Sequence, residues 1–362
     1  MILQDLLNTT KQLISYKTTH DRQDEIHAIC SFVCDFFRHT SLQVTMLEHN
    51  GFPSVVVTKG TKTPKVFLSG HLDVVPGSND QFEPKMQGDR LYGRGALDMK
   101  SGNAVMMHLM RDLAQTSHDV GLMLTSDEEI GGFDGTGWLL AQGYRSQVAI
   151  IPDGGEAIHN MISKEKGILR VKLTAHGIAA HGSTPWLGRN AIECLLPVIS
   201  KVLNAFDIRA VQLPNAWVST VNLGTIHGGD ATNQVPDKAM AEFDIRFVET
   251  DDPHELIHTF QYLLSEDVEM EATILAQAVS VPLDHPLVVP FANCVTMHGR
   301  NVNFTLDHGA SDGRFFSELG IPVIISQPDG ANLHAPDEWV HIPSIELYYH
   351  VLKEYLDNVS RL

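Results

Sequence analysis

No apolar run in this 362-residue chain approaches the ~18 residues that a membrane-spanning helix requires, which excludes a helical membrane protein. The opening stretch, MILQDLLNTTKQLISYKTTH, is amphipathic with an early Asp5, where an export signal has a charged segment followed by an apolar one, so the cytoplasm is the expected location. Cysteine is scarce. Cys30, Cys34, Cys194 and Cys294 form no CxxC pair, which excludes a dense disulfide framework, and all four read as reduced core residues. Basic residues are outnumbered, 26 Lys and Arg against 44 Asp and Glu, and the formal charge of -18 disfavours nucleic acid and anionic membranes as partners. Part of that acid excess leaves the surface if carboxylates hold cations in the folded protein. Internal repeats and low-complexity tracts are also lacking.

What is present is apolar content, 43% of the residues, in a chain long enough for about two domains at roughly 150 residues each. In the first part, helix-like DEIHAICSFVCDFFRHT, GNAVMMHLMRDLAQT and GTGWLLAQG alternate with short apolar strands in SVVVTKG, KVFLSG, VGLMLTS and QVAIIPD. That alternation predicts an α/β fold with a mainly parallel sheet covered by helices, whose ligands bind beyond the carboxyl ends of the strands. Between 166 and 277 the order changes to strand GILRVKLTAHG, helix GRNAIECLLPVISKVLNAF, strands AWVSTVNLGTI and KAMAEFDIRFVE, helix DPHELIHTFQYLLSE and strand DVEMEATILAQA. This is the β-α-β-β-α-β order of ferredoxin-like α+β units. Patterns of the first kind then resume in VNFTLDHG, GRFFSELG, IPVIIS and SIELYYHVLKEYLDNV. The expected organisation is a discontinuous domain, 1–165 and 278–362, with an inserted domain at 166–277.

Polar residues interrupt these patterns at strand ends. In KVFLSGHLDVVPG, His71 and Asp73 lie two apart and so face the same side just past the apolar VFL. A metal-binding histidine usually gives its second ring N–H to a carboxylate or carbonyl, a role open to Asp73. GRGALDMKSG sets Asp98 among glycines before a helix, VGLMLTS runs straight into Asp127, Glu128 and Glu129, QVAIIPDGG ends on Asp153, and QPDGANLHAPDEWV carries His334 in a polar loop. Singly, these fit a capped strand end, a helix cap, a solvated acidic loop, a turn and a surface histidine. Together, His71, the Asp127–Glu129 cluster and Asp153 each end a separate apolar strand, and so converge on one rim of one sheet.

Two imidazoles with three or four carboxylates suit borderline divalent ions, zinc first and cobalt or manganese next, and no cysteine lies in these motifs. Two ions sharing one carboxylate would use every ligand without leaving a buried charge unmatched, and would make hydroxide near neutral pH while polarising a carbonyl. Amide hydrolysis is the natural reaction. One of Glu128 and Glu129 is then spare to act as general base, and spacing alone leaves open which.

GHLDVVP, YGRGALDMKSG, TSDEEIGG, IPDGG and LHAPDEWV follow the motif order of the dinuclear zinc peptidase and deacylase family that includes acetylornithine deacetylase, succinyl-diaminopimelate desuccinylase, aminoacylase and glutamate carboxypeptidases. The chain resembles that family over essentially its whole length. The resemblance implies a zinc-exopeptidase-type sheet with an inserted lid and dimerisation domain, His71 and Asp153 on one zinc, Glu129 and His334 on the other, and Asp98 bridging. It also implies Glu128 as catalytic base and Asp73 as the group that orients His71. GIAAHGSTPWLGRNAI resembles the segment whose histidine, here His181, stabilises the oxyanion from the neighbouring subunit of a homodimer. GGDATNQVPDKAMAEFDIRF resembles the substrate segment and makes Asn233 and Arg246 candidates to bind a substrate carboxylate. GASDGRFFSELG resembles the desuccinylases, with Ser311 to Arg314 as a wall around the leaving group, whereas an aspartate at 153 is closer to acetylornithine deacetylases and some dipeptidases. The expected substrate is accordingly a small N-acyl amino acid, with a dipeptide, aminopeptidase or carboxypeptidase substrate as the nearest rival and a non-catalytic metal-binding relative as the remote one.

Overall fold

Six short runs rich in Val, Ile and Leu hydrogen-bond into one sheet, in the order Gln43–His49, Phe52–Thr58, Val120–Thr125, Val66–His71, Val148–Ile151 and Val323–Ile325. The first two strands and their junction with Val120–Thr125 are antiparallel; the remaining neighbours are parallel. The strands Val66–His71, Val120–Thr125 and Val148–Ile151 are buried at every residue, as both-face coverage by helices requires. Each large aliphatic or aromatic side chain so buried, Phe67 and Leu68 among them, contributes roughly 1.5–3 kcal/mol. Four parallel strands thus present their carboxyl ends side by side. The Asn303–Asp307 strand lies outside this sheet.

The computed structural model describes residues 2–206 and 216–362. It divides into two compact units, one of Met1–Ser163, Val281–Asp307 and Ser311–Leu362, the other of Lys164–Ser280 and His308–Ala310. In the second unit, Thr220–Gly228, Lys238–Phe247, Gly167–His176 and Val268–Ala276 form a four-stranded antiparallel sheet in that spatial order. The two central strands alternate between buried and more exposed residues, the mark of a sheet packed on one face. Helices Ala191–Ala205 and Pro253–Leu263 supply the cover, through Leu195, Val198, Val202 and Phe260. Asn190 caps the first by accepting from the N–H groups of Ile192 and Glu193, and Asp252 caps the second. No helix among the described residues is long and apolar enough to cross a membrane.

Helix Ser101–Asp112 packs into the first unit and buries His108, whose Nδ1 accepts from Arg111 and whose Nε2 meets the Thr9 hydroxyl at 2.8 Å. Burial, helped by the Arg111 cation, pushes this imidazole down to about 4. The ring is therefore neutral when folded but takes a proton near its ordinary value when unfolded, so stability falls as pH drops from about 6.5 towards about 4. His108→Gln should flatten that part of the profile in urea unfolding measured at pH 7, 6 and 5. Parallel wild-type and variant profiles would count against it.

Candidate metal centre

His71 is the last residue of its strand and is 2% exposed. Its main chain is fixed by Asn103, whose side-chain amide donates to the His71 carbonyl at 2.5 Å. Its Nδ1 lies 3.0 Å from the Asp73 carbonyl oxygen and 3.5 Å from the Asp73 carboxylate, while its Nε2 lies 3.0 Å from Asp98 Oδ1 and 4.0 Å from Asp153 Oδ2. The other oxygen of Asp98, Oδ2, is 3.0 Å from Nε2 of His334, which is in turn 3.4 Å from Glu129 Oε2. One carboxylate therefore faces two imidazoles, each with a further carboxylate beside it.

The local sequence explains the placement. Asp98 sits in an irregular turn entered through Gly95, whose φ of +78° and close approach to Val74 exclude a side chain. Glu128 and Glu129 lie on a single turn of 3-10 helix, Glu128–Ile130, and not on an extended strand. Their side chains diverge by about a third of a turn, which separates two adjacent carboxylates much as strand alternation would. The Asp73 carboxylate accepts the N–H groups of Glu128, at 3.3 Å, and Glu129, at 3.0 Å. Its chief hydrogen bonds thus hold the Glu128–Glu129 turn, and the nearer partner of His71 is the Asp73 main chain.

Asp127, grouped by sequence with its two neighbours, turns elsewhere. It is buried and its Oδ2 accepts from the N–H groups of Asp134 and Gly135 at 2.8 and 3.0 Å. A Cβ at Gly135 would come within 2.2 Å of its Oδ1, so the loop closes on this carboxylate only with glycine there. Burial pushes Asp127 up to about 7. Asp312, another buried carboxylate, accepts from Thr136 at 2.5 Å. The sequence offered no sign of that pairing.

Electrostatics of the cluster follow from its geometry. Burial opposes charge on His71, yet its hydrogen bonds to Asp73 and Asp98 hold it well above the ordinary imidazole value. His334 is pushed up to about 10 by Asp98 and Glu129. Burial works against the Asp98 charge, but the two rings hold it well below the usual carboxylate range. Burial raises Glu128 strongly. Two positive charges are thus favoured among these carboxylates, and His71, Glu128 and Asp153, like His71, Asp98 and Glu129, offer ligand atoms within 4.8 Å of one another. The donor set, imidazole and carboxylate without thiolate, fits two divalent cations in place of those protons.

Other expected site residues lie in different settings. Ser311 and Arg314 are each 2% exposed; the guanidinium donates to the Ser311 carbonyl at 3.0 Å and the Gly131 carbonyl at 2.7 Å. Arg314 therefore holds the loop after Glu129 from inside the fold. In the second unit, exposed His181 pairs across a short ladder with Gln234, its Nδ1 is 2.7 Å from the Ser183 hydroxyl, and the Gly182 N–H donates to the Asn233 carbonyl at 2.7 Å. His181 and Asn233 are thus brought side by side. Arg246 is on the Lys238–Phe247 strand, with its Nε 2.7 Å from Asp244.

A mainly parallel sheet with imidazoles and carboxylates gathered at its carboxyl rim suits a metal-dependent hydrolase, and the family of the chain makes it one that acts on amide bonds. The chain belongs to peptidase family M20/M25/M40, whose family model matches residues 67–358. It is 29% identical over 345 residues to a succinyl-diaminopimelate desuccinylase of Bordetella petrii, an alignment covering 86% of this chain and 90% of that protein. Its fold is similar to that of an M20 family metallo-carboxypeptidase from Sulfolobus solfataricus, with a TM-score of 0.79, 17% identity and coverage of 97% and 98%. It is also similar to a Bacillus subtilis dinuclear metal binding peptidase from the M20 family, with a TM-score of 0.70, 13% identity and coverage of 99% and 98%.

Proposed function

We propose that the protein is a two-metal amidohydrolase that releases the acyl group of a small N-acyl amino acid of the succinyl-diaminopimelate or acetylornithine type. The carrying observation is the arrangement of Asp98, whose two oxygens each lie 3.0 Å from a different imidazole, with Asp153 beyond one ring and Glu129 beyond the other. In this reading His71 and Asp153 hold one ion, Glu129 and His334 the other, and Asp98 is shared, with zinc the favoured metal and cobalt or manganese as substitutes. Bound there, the ions supply Lewis acidity to a carbonyl oxygen and lower the pKa of water.

Glu128 takes the proton from the attacking water and passes it to the departing amine nitrogen as the amide C–N bond breaks. Asp73 holds the Glu128 and Glu129 main chain in place for this. His181 is assigned to the developing oxyanion from a second copy of the chain, making the inserted unit a lid and dimerisation domain, and Asn233 and Arg246 to a substrate carboxylate. A cytoplasmic role in amino acid biosynthesis goes with this reading.

A peptidase acting on unblocked peptides is the second reading, favoured by the fold shared with the metallo-carboxypeptidase and by the aspartate at 153. Chelation should abolish hydrolysis, and zinc should restore it. The restored protein is then assayed on N-succinyl and N-acetyl amino acids and on free dipeptides. Turnover of blocked substrates alone supports deacylation; turnover of free dipeptides alone replaces it with the second reading.

A further inference from the structure

Glu338 lies four residues beyond His334, is 1% exposed, and belongs to no role so far described. Its Oε1 accepts the N–H groups of Leu97, at 2.9 Å, and Asp98, at 3.1 Å; its Oε2 accepts the Gly95 N–H at 3.0 Å and Arg94 Nη1 at 2.8 Å. Both oxygens are thereby saturated by donors from the one loop that carries Asp98. The other terminal nitrogen of Arg94, itself 3% exposed, donates to the His334 carbonyl at 2.9 Å. A single buried ion pair thus grips the main chain of Asp98 and the main chain of His334, whose side chains face each other 3.0 Å apart.

His334 has a second peculiarity, a φ of +62°. Residues other than glycine rarely keep this left-handed conformation unless their surroundings impose it, and the hydrogen bond from Arg94 to the His334 carbonyl is such a constraint. The flanking antiparallel ladder, with Trp339 opposite Tyr92 and Val340 opposite Leu91, brings the two segments together; beyond it the Gln81 amide donates to the Ala335 and Pro336 carbonyls, while the main chains of Asp98 and His334 themselves are gripped by the ion pair.

We propose that Arg94 and Glu338 are positioning residues that set the Asp98 to His334 spacing, and with it the affinity for the ion held by Asp98, Glu129 and His334. This rests on the two-metal reading above. It makes a site-selective claim: the ion on His71 and Asp153 keeps two ligands that the pair does not touch, whereas the other ion depends on two whose main chains it holds.

The test is a cobalt(II) titration of the metal-free protein, followed by visible absorption of the bound ion and by calorimetry, on wild type and Glu338→Gln. The amide replaces one acceptor oxygen with an NH2 group that faces donors, so one half of the grip is lost. Wild type should take two equivalents. In Glu338→Gln one step should stay within about threefold while the other weakens by about 10–100-fold, the range typical for groups that support a ligand, with an altered absorption band for the weakened equivalent. Two unchanged steps overturn the proposal, as does equal weakening of both, which marks a role in general folding. If Glu338→Gln does not fold, Arg94→Lys, which keeps the charge but lacks the fork to reach both Glu338 and His334, is judged by the same outcomes. A wild-type protein that binds fewer than two equivalents overturns the two-metal reading itself.

Discussion

Replacing Glu128 by glutamine should lower kcat by about 10²–10⁴-fold, the span that general acid–base catalysis supplies, while leaving two divalent ions bound. The argument is one of comparison with its neighbour. Glu129 is committed: its Oε1 accepts the Val75 N–H at 3.1 Å and its Oε2 lies 3.4 Å from His334. The Glu128 carboxylate takes no hydrogen bond among the described residues, although it stands within 4.8 Å of ligand atoms of His71 and Asp153. It is close enough to serve a water there and uncommitted enough to take its proton. Glutamine preserves the shape and the main-chain hydrogen bond to Asp73 but cannot accept a proton. Glu129→Gln should behave differently, losing the ion on the His334 side. Steady-state kinetics with metal analysis on both variants decides the matter, and a Glu128→Gln protein that turns over normally would remove Glu128 from the mechanism.

That assignment shows where sequence and structure part. The strands were legible because apolar runs such as KVFLSG and VGLMLTS are short, continuous and bounded by polar residues, and both families of pattern, parallel sheet and β-α-β-β-α-β unit, emerged in the order observed. Residues that end such strands were legible for the same reason: His71 and Asp153 follow directly from chain direction. Loops were harder. Periodicity does not show that Asp127 turns back to hold Asp134 and Gly135 while Glu129 turns towards His334, because the turn type at Glu128–Ile130 decides it. Nor does it show that Arg314 lies inside the fold, since an arginine after a glycine reads equally as surface or substrate contact. Arg94 and Glu338 stood within the recognised motifs, yet their pairing spans 244 positions and leaves no local trace.

Asp98→Asn is expected to have the other large effect: metal content falling from two equivalents to at most one, with turnover falling on the order of 10³-fold. An ion that polarises the reacting carbonyl contributes several kcal/mol, and about 4 kcal/mol corresponds to that factor. Asparagine matches aspartate in shape but offers one acceptor oxygen and one NH2 group. Because the two oxygens of Asp98 face different rings, His71 and His334, one side must lose its ligand whichever way the amide turns. The negative charge between the two sides also goes, which leaves the flanking imidazoles and carboxylates without the group that both cations share in the two-metal reading. The main-chain hydrogen bonds from residues 95, 97 and 98 to Glu338 do not involve this side chain, so the loop should keep its shape and the fold its circular dichroism. Metal analysis after equilibration at micromolar zinc, read beside the kinetics, separates the outcomes. An Asp98→Asn protein that keeps two equivalents and full turnover would show that the two sites do not share Asp98.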